Sequence, residues 1–555
     1  VELPHVTLSL RGHLFDTGLI NQILDVVEAR GGAFVIAQCE VRPNKGKGEV
    51  MEKHFSTVLL EVEAPTEEGL RDIVKRVQKL AELVEAAEAT VTEMSYESSS
   101  SLITPPSSSS SSPTTTSPSL PSSPGTATVH SPQQVLVLGA GRVSGPAIDY
   151  LSQRHEVLVV GATAEEITRL GQRGRSSSHR GVVMDVQNES AALRKLMDKS
   201  DIVLSLLPAP MHPLIARDCL SLDKPLITTS YISDDLRKMH KAATAQGLVF
   251  LNEVGLDPGM DHASAMRIIN QAKAEGGKIV SFRSVCGGLP SPDAAGKTPF
   301  LYKFSWSPRA VLSAAENTAT YLEGGKVVRI EGEELLRHAH PCPPQAFPTM
   351  RLEVLPNRNA LHYQELYGIQ EAETCFRGTL RYEGWSEIMY GCKVLGLLSH
   401  ENLPSGCGSW QEYLAHVLVG GGGEAGREEE AWRRLVAAGV QDPARVLGGL
   451  AWLDLGMGGG ASLPLSAMGG GVSVIDAFSA LLEEKLKYGP GEVDMVAMWH
   501  DIIVAHGGGA GEEERRHHHT SSLLVYGNER DSAMALTVGK TAAVATDLVL
   551  QGELQ

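Results

Sequence analysis

A chain of 555 residues exceeds what a single hydrophobic core organises, so roughly two to four domains are expected. Its net charge of −17 argues against nucleic acid or an anionic membrane as a partner, and no run approaches the roughly 18 apolar residues that span a bilayer. The seven cysteines are odd in number and never spaced C-x-x-C, which points to a reducing compartment and away from a zinc site or disulfide scaffold; no metal is expected.

Residues 1–95 form a small α/β module in βαββα order. His5–Arg11 alternates as a strand, and Leu19–Glu28 has helical spacing ended by Gly31 and Gly32. Ala33–Val41 and Ser56–Val62 are strands, and Thr66–Ala87 is an amphipathic helix with Glu, Lys and Arg on its wet face. The order is that of ferredoxin-like regulatory or interaction modules, and nothing in it looks catalytic. Residues 96–131 are mostly Ser, Thr and Pro; such a segment cannot bury enough apolar area to offset its ordering entropy and is predicted to be a disordered linker.

From 132 to 261 strands and helices alternate. Val135–Leu138 is a buried strand that runs into Gly139-Ala-Gly-Arg-Val-Ser-Gly145, and a helix begins at Pro146. A strand–glycine turn–helix bares backbone N–H groups at a helix N-terminus, where a pyrophosphate can sit. Gly141 leaves room for that approach, and the third position of the fingerprint is Ser144. Strands follow at His155–Val160, Gly181–Asp185, Asp201–Leu207, Pro225–Ser230 and Leu248–Val254, which predicts an α/β, doubly wound, Rossmann-type parallel sheet. A site is expected at the carboxyl ends of these strands. The second strand ends Gly161-Ala162-Thr163, with Glu165 and Glu166 only later, so no acid stands where a ribose 2′-hydroxyl is usually held. The choice between NAD and NADP stays open. Asp257 lies in a Gly-Leu-Asp-Pro-Gly turn, and Asp261 and His262 are expected to start and cap the next helix.

Residues 262–530 mix strands (Lys278–Cys286, Lys326–Glu331, Leu523–Gly527) with helices, as an inserted α+β substrate and dimerisation domain would. Glycine runs at 420–423, 457–460, 469–471 and 507–509 look like loop expansions. The segment 512–519, with His517, His518 and His519, is expected to be a solvated loop rather than a metal site. Ser532–Gln551, within a final segment 531–555, is an Ala-rich helix predicted to return to the nucleotide domain.

Gly255-Leu-Asp-Pro-Gly259, Gly287-Gly-Leu-Pro290, Tyr302-Lys-Phe-Ser-Trp-Ser-Pro308, Thr229-Ser-Tyr-Ile232, Pro356-Asn-Arg358 and Arg377-Gly-Thr-Leu-Arg-Tyr382 together resemble the glutamate-forming saccharopine dehydrogenase family. The resemblance runs from about 133 to the C-terminus, and His13–Asp16 through Gly32 is similar to the segment joining the two halves of the family's bifunctional animal members. It implies a lysine-catabolic oxidoreductase of the mitochondrial matrix that converts saccharopine, NAD (or NADP) and water to L-glutamate and α-aminoadipate semialdehyde. It further implies that Ser230, Tyr231, Asp257, Arg358, Thr379, Leu380 and Arg381 contact saccharopine, with Tyr231 and Asp257 the candidates for proton transfer. Gly139, Ala140, Gly141, Val143, Ser144, Thr163, Glu166, Ser205, Leu206, Leu207 and Thr229 would line the dinucleotide. Two departures touch that cofactor site: the animal members' acid at the end of the second strand is missing, and Ala140 replaces a Ser. A homo-oligomer is expected, as is an upstream lysine–ketoglutarate reductase domain in the full-length protein.

The substrate's chemistry agrees with these residues. Saccharopine carries carboxylates, an ammonium and a secondary amine; Arg forks suit carboxylates, and Asp257 suits the ammonium. Arg377 is less firmly placed in this scheme. Two rivals stand beside this reading: a reductase of carboxylated polyamines from the same superfamily, and an inactive dinucleotide-binding scaffold.

Overall fold

Alternating side chains give each strand of the N-terminal module one buried face. In β1 (His5–Gly12) Leu8 and Leu10 are buried, and in β3 (Ser56–Glu63) Val58, Leu60 and Val62 are. With β2 (Ala33–Glu40) and β4 (Thr90–Met94) they form an antiparallel sheet in the order β2-β3-β1-β4, covered by the helices Leu19–Ala29 and Glu67–Leu83. The predicted βαββα order therefore lacks one element. The strand β4 is only five residues long, and its partner is β1, far away in sequence.

The computed structural model describes residues 4–12, 14, 19–40, 56–83, 89–94, 132–172, 179–418, 423–455, 465, 471–507 and 514–554. Contacts divide the chain into two units, Val1–Gly125 and Thr126–Gln555. The predicted linker through residue 131 and most of the glycine runs lie outside the described residues.

In the second unit six parallel strands, β5 (Gln134–Leu138), β6 (Glu156–Gly161), β7 (His179–Val183), β8 (Ile202–Ser205), β9 (Leu226–Thr228) and β10 (Phe250–Leu251), lie in the order β10-β9-β8-β5-β6-β7. Helices cover both faces, which makes this the doubly wound Rossmann-type sheet. The chain order reverses between β5 and β8, so the ligand crevice opens where those two strands end. The third strand begins two residues earlier than predicted, and the sixth pairs over only two residues.

The chain continues into a larger mixed sheet of β11 (Lys278–Pro290), β12 (Ala319–Glu323), β13 (Lys326–Ile330), β14 (His340–Pro341), β15 (Leu352–Pro356), β16 (Thr374–Tyr382), β17 (Asp494–His506) and β18 (Arg515–Tyr526). The main order is β13-β12-β16-β11-β17-β18, with β11 and β16 parallel. One face holds the largest core, shared with helices such as Trp385–Val394 and Val474–Lys485. The helix Met260–Ala274 packs on the other. His517, His518 and His519 belong to β18, opposite Val504, Ile503 and Ile502, and not to a loop. An edge strand takes its hydrogen bonds from the neighbouring backbone and leaves one side in water, so polar, repetitive composition does not forbid it.

The final helix, Ala533–Leu550, docks on the nucleotide domain, where Ala542 and Ala543 share a core with Val135, Ala147 and Ile148. By length and composition it is apolar enough to cross a membrane, contrary to the expectation that no run would be. More than half of its residues are buried within the unit, and that burial accounts for their apolarity. Its polar anchor is the buried Asp547, which accepts hydrogen bonds from Arg154 (2.6 Å), His155 Nε2 (3.0 Å) and the Tyr150 hydroxyl (3.4 Å). Burial opposes its charge, yet the hydrogen bond from His155 and the Arg154 charge hold its carboxyl below the usual range. Asp547→Asn is therefore expected to cost about 1–3 kcal/mol at pH 7 in urea unfolding. Because a depressed pKa stabilises only above the carboxylate range, the gap to wild type should close as the pH falls through the folded-state value.

Candidate functional site

The turn after β5 needs its first glycine for two reasons. Gly139 has φ +107°, and a Cβ there would lie 3.0 Å from the Leu206 carbonyl oxygen. A Cβ on Gly141 would meet nothing within 4 Å, so this position faces open space of the kind a pyrophosphate would fill. Ser144 takes the third fingerprint place without spoiling the turn: it is buried and its hydroxyl donates to the Gly141 carbonyl (2.9 Å). Val143 lies under the final helix, its carbonyl close against Gly539. A cavity of about 330 Å³ opens beside the turn, lined by Gly141, Arg142 and Arg169 on one side and Ser305, Tyr488, Asp494 and Ser532 on the other. A phosphate would meet the glycine turn and Arg169 on the first side, whereas Glu492, Asp494, Glu529 and Asp531 line the other.

At the end of β6, Thr163 caps the helix Ala164–Gly171 by accepting from Glu166 N–H (3.3 Å), and Glu166 accepts in return from Ala162 N–H (3.0 Å). Both side chains thus close a capping-box-like turn, with Glu166 reaching the N–H one residue before the Thr163 cap, at a spacing the sequence already encodes. One turn on, Arg169 donates to the Ala140 carbonyl of the glycine turn (2.8 Å) and has no carboxylate partner among the described residues. The strand end offers a cation where an acid was sought.

Ser205 ends β8, Leu206 N–H bonds back to Leu138 (2.8 Å), and Leu207 is half-buried beside it. Ser205 and Ser230 are joined by a residue that sequence reasoning missed. His212 Nδ1 lies 3.1 Å from Ser205 Oγ and its Nε2 lies 3.0 Å from Ser230 Oγ. Burial pushes this imidazole down to about 4, so it is neutral at pH 7. The carbonyl of Thr229 faces Gly255 at close range.

The Gly255–Gly259 turn brings two acids to one arginine. Gly259 has φ +143°, and any Cβ would sit 2.3 Å from Gly255, so only glycine closes this turn. Asp257 Oδ1 accepts from the Tyr231 hydroxyl (2.6 Å) and from Arg377 of β16 (2.5 Å), and Arg377 also bonds Asp261. Asp261 does sit in the first turn of its helix and accepts from Gly259 N–H (2.6 Å), but its carboxylate is equally an ion-pair partner. Arg377, buried, stacks 4.2 Å from the Tyr363 ring centroid. Burial and the Asp257 charge raise Tyr231 well above its ordinary value and raise Asp261 too. For Arg377, burial opposes the charge, but Asp257, Tyr231 and Asp261 more than restore it. Behind this knot Glu253 and Tyr367 hold the two nitrogens of His262 (2.9 and 2.6 Å).

Two further arginines have no carboxylate partner among the described residues. Arg358, exposed and left-handed (φ +51°), places its guanidinium 5.2 Å from the Tyr231 ring centroid. Arg381 is buried between Trp385 (4.8 Å) and Tyr302 (5.2 Å); it donates to the Leu380 carbonyl (2.8 Å), and its Nε has no partner. Arg377, Thr379 and Arg381 share one face of β16 by its two-residue period. Leu380 points the other way into the main core, so its side chain is structural and only its backbone faces the site strand. Trp306 has a buried indole N–H without a hydrogen-bond partner among the described residues. Lys303 of the same motif is structural, paired with Glu492 (2.7 Å).

Comparison with known proteins agrees with this architecture. Family profiles match residues 135–251 as "Saccharopine dehydrogenase NADP binding domain", 255–555 as "Saccharopine dehydrogenase C-terminal domain" and 5–102 as "LOR/SDH bifunctional enzyme conserved region". The chain is 34% identical to the alpha-aminoadipic semialdehyde synthase of Arabidopsis thaliana over 99% of its own length and 52% of the relative's. It is 35% identical to the mitochondrial synthase of Mus musculus (76% and 44% covered). The saccharopine dehydrogenase [NADP(+), L-glutamate-forming] of Saccharomyces cerevisiae is 34% identical (76% and 92% covered). A solved apo structure of saccharopine dehydrogenase (L-Glu forming) from that yeast superposes with a TM-score of 0.66 at 34% identity, over 76% of this chain and 92% of that one. This chain belongs to the saccharopine dehydrogenase family. It spans about half the length of the plant and mammalian relatives.

Removing Arg377 should expose how much the knot matters. Arg377→Met leaves Asp257 and Asp261 facing each other without their counter-charge, an expected loss of about 3–5 kcal/mol by urea unfolding at pH 7. Because Asp261 already titrates high, part of that loss should return as the pH is lowered and it takes up a proton.

Proposed function

We propose that this chain oxidises saccharopine with NADP and water to L-glutamate and α-aminoadipate semialdehyde, as a step of lysine breakdown. The observation that carries the reading is the pair of arginines, Arg358 and Arg381, that have no acid partner among the described residues and lie near the Asp257–Arg377 knot at the end of the parallel sheet. In a chain of net charge −17, unpaired guanidinium groups around one crevice suit a ligand with several carboxylates.

The cofactor's nicotinamide would supply the acceptor for hydride from the carbon beside the secondary amine. The chain's own groups orient the substrate for that step. Arg358 and Arg381 take carboxylates, and the spare oxygen of Asp257 takes the ammonium. Tyr231, kept protonated by burial and by Asp257, serves as a hydrogen-bond donor rather than a base. Water then adds to the imine carbon, and the carbinolamine expels glutamate as its nitrogen gains a proton.

The phosphorylated cofactor is favoured over NAD by the β6 end: Glu166 is engaged by backbone, and Arg169 at the phosphate turn has no carboxylate partner among the described residues. The names of the yeast relative and of the matching domain point the same way. The bifunctional region at 5–102 supports a companion lysine–ketoglutarate reductase, and the names of the mammalian relatives support a mitochondrial location.

Steady-state assay tests the reading. Arg358→Ala should raise KM for saccharopine by about 10- to 100-fold, the loss of a charged hydrogen bond; unchanged turnover would remove saccharopine as the substrate. Arg169→Ala should weaken NADP by about tenfold and leave NAD within about twofold.

A further inference from the structure

The chain Ser205–His212–Ser230 allows only one consistent proton arrangement. Ser205 is fully buried, and among the described residues the one hydrogen-bond partner of its hydroxyl is His212 Nδ1. A buried hydroxyl proton needs an acceptor, so Ser205 donates to Nδ1. The imidazole is neutral, its two nitrogens being shielded from water, so the ring proton resides on Nε2. Nε2–H therefore donates to Ser230 Oγ at 3.0 Å. Accepting that bond uses one lone pair of the half-buried Ser230 and leaves its proton free to be given to a neighbouring acceptor. In the reverse arrangement the Ser205 proton would be stranded in the core, at a cost of about 1–3 kcal/mol.

We propose that His212 is a positioning residue that orients the Ser230 hydroxyl with its proton outward, so that Ser230 favours a carboxylate oxygen over an ammonium or amide N–H. The proposal rests on the substrate reading above and deepens it by giving Ser230 a defined polarity. It also divides the labour of the crevice: Asp257 accepts, whereas Ser230 donates. Because the Ser205 end of the chain closes β8 and the Ser230 end follows β9, the strand ends that flank the cofactor set the polarity of a substrate contact.

Two measurements on the full chain test this. Nitrogen NMR of histidine-labelled protein, with the His212 signal assigned by its loss in His212→Gln, should show a neutral ring protonated on Nε2 at pH 7. A ring protonated on Nδ1, or a charged ring, overturns the proposal whatever the substrate is. In steady-state assays His212→Ala should raise KM for saccharopine about tenfold while kcat and the cofactor dissociation constant stay within about twofold. The double variant with Ser230→Ala should be no worse than Ser230→Ala alone. His212→Gln, whose amide can still donate to Ser230, should recover part of the loss. Additive effects, or an equal fall in cofactor affinity, would reduce His212 to a packing residue. If the wild type turns over no saccharopine, the substrate reading fails, and the NMR result still decides the orientation of the chain.

Discussion

The bridge from Arg377 to Asp257 and Asp261 is the contact on which the site is built. It links the turn that follows the last Rossmann strand, the first turn of the helix Met260–Ala274 and the middle of β16. A guanidinium this buried is costly on its own, and so are two carboxylates a few residues apart; together they offset much of that cost through short hydrogen bonds. Tyr231 is held by the same acid, and the ring of Tyr231 carries Arg358. Loss of the bridge would therefore loosen Tyr231 and Arg358 and the seam between the two sheets at once.

Around this knot the remaining charges are unequal. Arg358, Arg381 and Arg169 have no protein acids among the described residues, two of them near the knot and one at the phosphate turn. The overall negative charge of the chain is therefore uninformative about what the crevice binds. Burial decides instead: stacking on Trp385 and Tyr302 keeps Arg381 in place without a counter-ion, at a price a polyanionic ligand would offset.

The sequence made some of this legible and hid the rest for physical reasons. The glycine turn, the six parallel strands and the returning helix announce themselves because local spacing and apolar runs encode them. Asp257 and Arg358 came from motif resemblance. Arg377 did not stand out, since its partners lie 116 and 120 positions away and nothing near it marks it as buried. His212 follows a strand end that was identified, but its pairing with Ser230 needs β8 and β9 side by side. Glu166 was expected to line the dinucleotide, yet its three-residue spacing from Thr163 is that of a capping box, a signal present in the sequence. The histidine run of β18 shows the opposite error, in which composition suggested a loop and sheet pairing overruled it.

The most direct test of the account is product stoichiometry with purified protein, saccharopine and NADP. Absorbance of NADPH and chromatographic assay of glutamate should rise together, one glutamate for each NADPH, with a semialdehyde trapped in equal amount. NADPH without glutamate, or no NADPH at all with saccharopine while NADP binds, would contradict it.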